Sequence, residues 1–158
     1  MGVQVCSLPT AVLSAHTEFE GYSFVDLTDY MEGFMDHWYK LGIEFDCIYS
    51  GFLGSPRQIE IISRFIDKFS FSNPLVVIDP VMGDNGRLYD TMDREMVEKM
   101  RDLVQKADII TPNFTEAAYL LGEKYDLSIP EKEINNWLVR LADMGPRITI
   151  ITSVPVSN

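Results

Sequence analysis

Hydrophobic positions along this chain fall into two alternating patterns. Short runs rich in apolar and β-branched residues, the signature of strands packed inside a sheet, occupy residues 3–6, 45–50, 75–79, 107–111 and 148–151. Longer segments with apolar residues at helical spacing lie between them. Asp26 is placed to cap a helix over residues 27–41, with Gly42 as its stop. Phe34, Trp38 and Leu41 share one face of that helix and are expected in the core. Ser55 caps a second helix with Pro56 at its first position, and Ile59, Ile62, Phe65, Ile66 and Phe69 form its apolar stripe. Further helices are expected over residues 93–105, from Thr111 through Leu121 to a stop at Gly122, and over 131–144, ended by Gly145-Pro146. The stretch 7–21 is irregular and polar.

Strands alternating with helices predict an α/β fold, a doubly wound, mostly parallel sheet with helices on both faces and right-handed crossovers. No repeat, low-complexity tract or linker interrupts the pattern, so one domain over residues 1–158 is expected. The centre of the pattern is residues 75–86, Leu-Val-Val-Ile-Asp-Pro-Val-Met-Gly-Asp-Asn-Gly. The apolar run reads as a strand buried on both faces and stops at Asp79. Pro80 has no N–H to continue a ladder, and Gly83, Asp84, Asn85 and Gly86 are loop chemistry. Two carboxylates delivered to a glycine-containing loop suit a metal ion and an anion; they equally suit the satisfaction of turn amides.

Ligands of such sheets sit beyond the carboxyl ends of the strands. The polar and glycine clusters fall at those ends: Ser50-Gly51, residues 79–86, residues 111–116 and Thr152-Ser153. All four are therefore expected on one edge. Asn113 and Glu116, three apart at a helix start, share a face. They read either as a helix cap or as part of a site in which Asp79, Asp84 and Glu116 hold Mg2+ and Asn113 orients a phosphate. Thr152 and Ser153 offer hydroxyls to a nucleotide phosphate, or simply solvate a strand end. His16 and His37 are the only imidazoles, and no Ser-His-Asp set can be assembled from them. A carboxylate-rich edge without a strong nucleophile suits phosphoryl transfer, which depends on positioning and charge stabilisation. Neither a Walker A string nor a GxGxxG follows any strand.

Composition narrows the reading. The chain has 158 residues, 46% hydrophobic and 23% charged, as expected of a globular domain. A net charge of −11 argues against nucleic acid as a partner, though not against a nucleotide, whose phosphates metal and backbone amides can neutralise. Cys6 and Cys47 lack any metal-ligand spacing and read as buried free thiols in a reducing compartment. No apolar run approaches membrane-spanning length and no signal peptide is visible, so no membrane partner and a cytoplasmic location are expected.

The ordered motifs carry a resemblance. Asp-Pro-Val-Met-Gly-Asp at 79–84, Thr-Pro-Asn-Phe-Thr-Glu-Ala at 111–117, Ile-Thr-Ser at 151–153, Ser-Ala-His-Thr at 14–17 and Ser-Gly-Phe-Leu-Gly-Ser at 50–55 resemble the pyridoxal kinases of the ribokinase-like superfamily, from about residue 3 to 153. Hydroxymethylpyrimidine kinases share parts of two of these motifs. The resemblance implies ATP-dependent phosphorylation of the 5′-hydroxymethyl group of pyridoxal, pyridoxine or pyridoxamine, with Mg2+, in a homodimer. It implies that Thr17, with His16 beside it, meets the vitamin ring and that Phe52, often Tyr in the family, packs against it. Asp79 would lie near the ATP phosphates, Asp84 near the metal, and Asn113 and Glu116 would form the magnesium and phosphate site. Thr152 and Ser153 would contact ATP, and Tyr89 would cover the phosphates. Two family features are not found: a strand–loop–helix unit before residue 3, and the Gly-x-Gly-Asp string that carries the base. The expectation is a central portion of the fold, truncated at both ends and weakly active or inactive alone. The alternatives are a non-catalytic remnant that binds a ligand or partner, and a hydroxymethylpyrimidine kinase fragment.

Overall fold

In the computed structural model, residues 2–15 and 19–155 are described. His16 and Thr17 therefore lie outside the described residues. The chain forms two units, Met1–Ile43 and Glu44–Asn158.

In the first unit, β1 (Ala11–Leu13) pairs antiparallel with β2 (Phe24–Asp26), Ala11 opposite Asp26. The strand expected at residues 3–6 does not form: Val3 and Val5 are each 76% exposed. A strand needs a ladder partner for its backbone groups, and none of the described residues pairs with this stretch. The segment read as irregular supplies β1 instead. Helix α1 (Thr28–Lys40) follows. Asp26 Oδ1 accepts the Thr28 amide at 2.8 Å just ahead of the helix, but the N-cap is Leu27, without a side-chain cap, so Asp26 is not the cap residue expected. At the other end Gly42, at φ 68°, donates to Tyr39 O and Ile43 donates to Trp38 O, a Schellman stop. The buried face of α1 differs from the expected one. Thr28, Met31 and Met35 are buried, whereas Phe34 and Leu41 are 43% and 61% exposed. The period was right but the face is rotated. The Phe34 and Trp38 rings pack edge-to-face on each other, centroids 6.2 Å apart, and the adaptable methionines take the buried stripe.

The second unit is organised by a parallel sheet. Its strands are β3 (Cys47–Ser50), β4 (Leu75–Ile78), β7 (Ile109–Ile110) and β8 (Ile148–Thr149), hydrogen-bonded in that order. Between β4 and β7 the chain makes a hairpin of β5 (Gly83–Asp84) and β6 (Arg87–Leu88). The helices are α2 (Pro56–Lys68), α3 (Arg94–Val104), α4 (Phe114–Leu121) and α5 (Glu131–Ala142). All three pairings are parallel, so every strand of this sheet points the same way and every carboxyl end opens on one edge. The registers Ser50↔Ile78, Ile78↔Ile110 and Ile110↔Thr149 align those ends.

Helix starts are chemically marked. Ser55 Oγ accepts the Gln58 amide at 3.3 Å, with Pro56 at the first position, and Asp93 Oδ1 accepts the Met96 amide at 2.9 Å. The α2 stripe is buried as expected: Ile59, Ile62, Phe65, Ile66 and Phe69. Phe45 joins Phe65 and Phe69 in an aromatic cluster, with centroids 4.6–5.5 Å apart. Each such ring contributes about 2 kcal/mol of burial. Under α4, Trp137 of α5 stacks on Phe114 at 5.1 Å.

Two expectations need correction. The strand β4 is not buried on both faces: Val76 and Ile78 are buried while Leu75 is 41% exposed, the alternation of a sheet covered more fully on one side. Nor are the cysteines buried. Cys47 is exposed and Cys6 half-buried. On β3, Cys47 alternates with buried Ile48, so period two puts it on the outer face. No helix of the described residues is long and apolar enough to cross a membrane.

Candidate functional site

The carboxyl edge of the sheet gathers the polar residues in the order the strands run. Asp79 follows β4 directly, and its amide donates to Ser50 O at 2.8 Å, prolonging the β3–β4 pairing by one residue. Pro80 then ends the ladder. The Tyr49 hydroxyl donates to Asp79 Oδ2 at 3.2 Å. Partial burial and the Asp79 charge beside it hold the Tyr49 hydroxyl above its ordinary pKa. Tyr49 was missed in the sequence. It pairs with Val77, so Asp79 is its diagonal neighbour on the same face, a relation visible only once the register is known.

Beyond β7, Asn113 and Glu116 form a reciprocal capping box at the start of α4. Asn113 Oδ1 accepts the Glu116 amide at 2.9 Å, and Glu116 Oε2 accepts the Asn113 amide at 2.7 Å. Both side chains also reach across to the loop after β4. Glu116 Oε1 accepts the Met82 amide at 3.1 Å, and Asn113 Nδ2 donates to Gly83 O at 2.8 Å. Capping and loop-holding are therefore one arrangement.

Glu116 is 3% exposed. Burial pushes its carboxyl up to about 7, against the backbone donors of Asn113 and Met82, and the Asp79 charge adds to the rise. The two carboxylates share one local field, and a cation there would relieve it. Asp84 stands on the hairpin, exposed, and accepts the Asn85 amide at 2.8 Å and the Asn85 side-chain amide at 3.2 Å. Among the described residues no group of three or more His, Cys, Asp or Glu side chains gathers tightly enough to cage a metal ion. Hard carboxylate oxygens from one or two side chains, completed by water and phosphate, are what Mg2+ asks for, and Asp79 and Glu116 offer oxygens of that kind on this edge.

The hairpin turns at Asn85 and Gly86, with φ of 50° and 77°. This is the geometry of a type I′ turn, which favours Asn-Gly. The dipeptide was the signal for a hairpin where only a loop was expected. Gly83 has no room for a side chain: a Cβ there would stand 2.1 Å from Arg87 O.

Thr152 forms a lone parallel bridge with Asn113, and its amide donates to Pro112 O at 2.9 Å. Ser153 holds φ of 55°, in the left-handed region, and both are exposed. The structure thus sets Thr152 beside Asn113 on the shared edge. Tyr89 is 42% exposed and is anchored through its amide to Met82 O at 2.9 Å. Phe52 is half-buried in the turn after β3, and a Cβ at Gly54 would lie 3.4 Å from its ring. Gln58 Oε1 accepts the Gly54 amide at 2.8 Å and fixes that turn.

A parallel α/β sheet with its polar groups beyond the carboxyl edge defines a protein of the ribokinase-like class, the fold of the pyridoxal kinases it resembles in structure. Residues 3–157 match the model of the phosphomethylpyrimidine kinase family, and the chain belongs to that family. A protein of Bacteroides thetaiotaomicron assigned as a phosphomethylpyrimidine kinase and crystallised with pyridoxal is 56% identical, with a TM-score of 0.93, covering 97% of this chain and 54% of that one. The pyridoxal kinase of Dictyostelium discoideum is 27% identical over 98% of this chain and 51% of its own length. The pyridoxal kinase of Staphylococcus aureus in complex with ADP is 26% identical, with a TM-score of 0.74, covering 91% of this chain and 50% of that one. The chain thus spans about half the length of the relatives it matches, and those relatives are phosphotransferases.

Proposed function

We propose that this chain is the nucleotide- and metal-binding portion of an ATP-dependent kinase that phosphorylates the 5′-hydroxymethyl group of a B6 vitamer. The observation that carries the reading is the convergence of Asp79, the Asn113–Glu116 pair and Thr152 on one carboxyl edge. Pyridoxal in the 56% identical relative and ADP in the Staphylococcus aureus kinase support the substrate and the donor.

Asp79 and Glu116, with Asp84 at the rim, would hold Mg2+, which neutralises charge developing on a transferring phosphoryl group. Thr152 and Ser153 offer hydroxyls and a turned backbone to a phosphate, with the Asn113 amide beside them. Tyr89 would shield the phosphates from water. Phe52 supplies an apolar face for a flat ring; contacts of Thr17 and His16 with the vitamin rest on the resemblance alone, both lying outside the described residues. A homodimer and a cytoplasmic setting belong to the same reading.

Among the described residues of this edge none is placed as general base for the hydroxyl, and the sequence contains no Gly-x-Gly-Asp string. Turnover by this chain alone is therefore expected to be weak, since general base catalysis contributes about 10²–10⁴-fold. The family assignment favours one second reading, a pyrimidine alcohol as acceptor. Titration of the purified chain with ADP, with and without Mg2+, followed by pyridoxal and hydroxymethylpyrimidine in turn, separates the possibilities. Mg2+-dependent ADP binding with preference for pyridoxal is expected. Preference for the pyrimidine would move the substrate, and the loss of any Mg2+-dependent nucleotide binding would overturn the reading.

A further inference from the structure

The hairpin that carries Asp84 has two-residue strands. A hairpin of that size does not hold itself in water, so its order comes from what it touches. Three side chains in the first turn of α4 and its cap tether it. Glu116 Oε1 takes the Met82 amide and Asn113 Nδ2 reaches Gly83 O, so both grip the root of the hairpin. Thr115 Oγ1 accepts the Gly86 amide at 2.9 Å, and so grips the tip. Asp84 stands between root and tip. From the other side, the Tyr125 ring closes on the tip: a Cβ at Gly86 would lie 2.6 Å from it. The Tyr119 hydroxyl also faces Gly86 O, at 3.5 Å, but it meets the carbonyl and not the amide, so it does not stand in for Thr115.

We propose that Thr115 is the positioning residue of the Asp84 hairpin: its buried hydroxyl fixes the Gly86 amide and so sets where the Asp84 carboxylate stands on the sheet edge. A helical threonine ordinarily turns its hydroxyl to solvent or back onto its own helix. Here the residue is 2% exposed and the hydroxyl is spent on another element. The Gly86 amide is half-buried and donates to this hydroxyl, so removing the hydroxyl takes away the partner of that donor. The functional consequence rests on the reading of Asp84 as a metal-side carboxylate; the mechanical one does not.

The test compares Thr115→Val, which keeps the shape and removes the acceptor, with Thr115→Ser, which keeps the acceptor. Amide hydrogen exchange and Mg2+-dependent ADP titration are both measured on the full chain. In Thr115→Val the Gly86 amide should exchange about tenfold faster or more, while amides of α2 and α5 keep their protection. Mg2+-dependent ADP binding should weaken severalfold, and Thr115→Ser should restore both readouts. Unchanged Gly86 exchange in Thr115→Val overturns the proposal. So does equal loss of protection throughout the chain, which would mark a general packing role, or lost Gly86 protection with ADP binding intact. If the unaltered chain shows no Mg2+-dependent ADP binding, the kinase reading fails by itself, and the exchange measurement still decides whether Thr115 holds the hairpin.

Discussion

Glu116 Oε1 accepts the Met82 amide across 3.1 Å, and this single bond joins the first turn of α4 to the loop that leaves β4. Its partner oxygen closes the capping box on Asn113. A carboxylate used at both oxygens and almost wholly buried is costly to ionise, and that cost shapes how the protein responds to pH.

Glu116 titrates near 7 in the fold, against 4.5 for a free side chain. Between those values the folded state binds more protons than the unfolded one, so stability falls as pH rises. The contribution is fully present below about pH 4.5 and is lost as pH passes through about 7, with a total on the order of 3 kcal/mol. Urea unfolding at a series of pH values should show this slope, and Glu116→Gln should flatten it. Equal slopes in the two proteins would remove Glu116 as the titrating group.

Mg2+ should oppose the same loss. Above pH 7 the ionised Glu116 lies in the field of Asp79, and a divalent cation bound there stabilises the folded state by mass action. Thermal unfolding at pH 8 is expected to shift upward with millimolar Mg2+, and less in Asp79→Asn. A shift of equal size in both would place the ion elsewhere.

Gly83→Ala should open the β5–β6 hairpin, because its Cβ would meet backbone at 2.1 Å. Overpacking of this kind costs about 1–3 kcal/mol. Gly51→Ala is the control: the nearest atom to its Cβ is 3.8 Å away, on the Tyr49 side chain. A denaturation midpoint equally unaffected in both would mean that the close packing of Gly83 against Arg87 does not limit stability.

Arg101 of α3 donates from Nε to Leu120 O at 2.7 Å and from Nη2 to Tyr119 O at 2.8 Å. It thereby satisfies carbonyls at the C-terminus of α4, where a cation also suits the helix dipole. Arg101→Met should destabilise the protein by about 2 kcal/mol, since hydrogen bonds to charged groups contribute about 1.5–3 kcal/mol. Chemical denaturation measures it, and a loss below a few tenths would mean that water serves those carbonyls as well.

Tyr49→Phe removes the hydroxyl that orients Asp79. Tyr49 is 64% exposed, so stability should change by less than about 1 kcal/mol, while Mg2+-dependent ADP binding weakens. Calorimetric titration reads the second effect, and unchanged binding would free Asp79 from any dependence on Tyr49.

Much of this protein was legible in its sequence because the relevant physics is local. Ser55-Pro56, Asp93 and the Asn113–Glu116 spacing each satisfy backbone groups within a few residues, so helices start where those residues stand, while the apolar runs mark the segments that can be buried. Strand–helix alternation then forces a parallel sheet, and with it the shared edge. What the tertiary structure alone decided depends on partners distant in the chain. Residues 3–6 have strand composition but find no ladder partner among the described residues, and they form no strand there. On α1 the buried stripe is Thr28, Met31 and Met35, while Phe34 is exposed and packs on half-buried Trp38. Cys47 faces outward because β3 and β4 set its register. Tyr49 met Asp79, and Thr115 met Gly86, across 30 and 29 residues of chain. A periodic pattern specifies that a face is apolar and a cap is polar; which donor lies opposite which acceptor is fixed only when the elements pack.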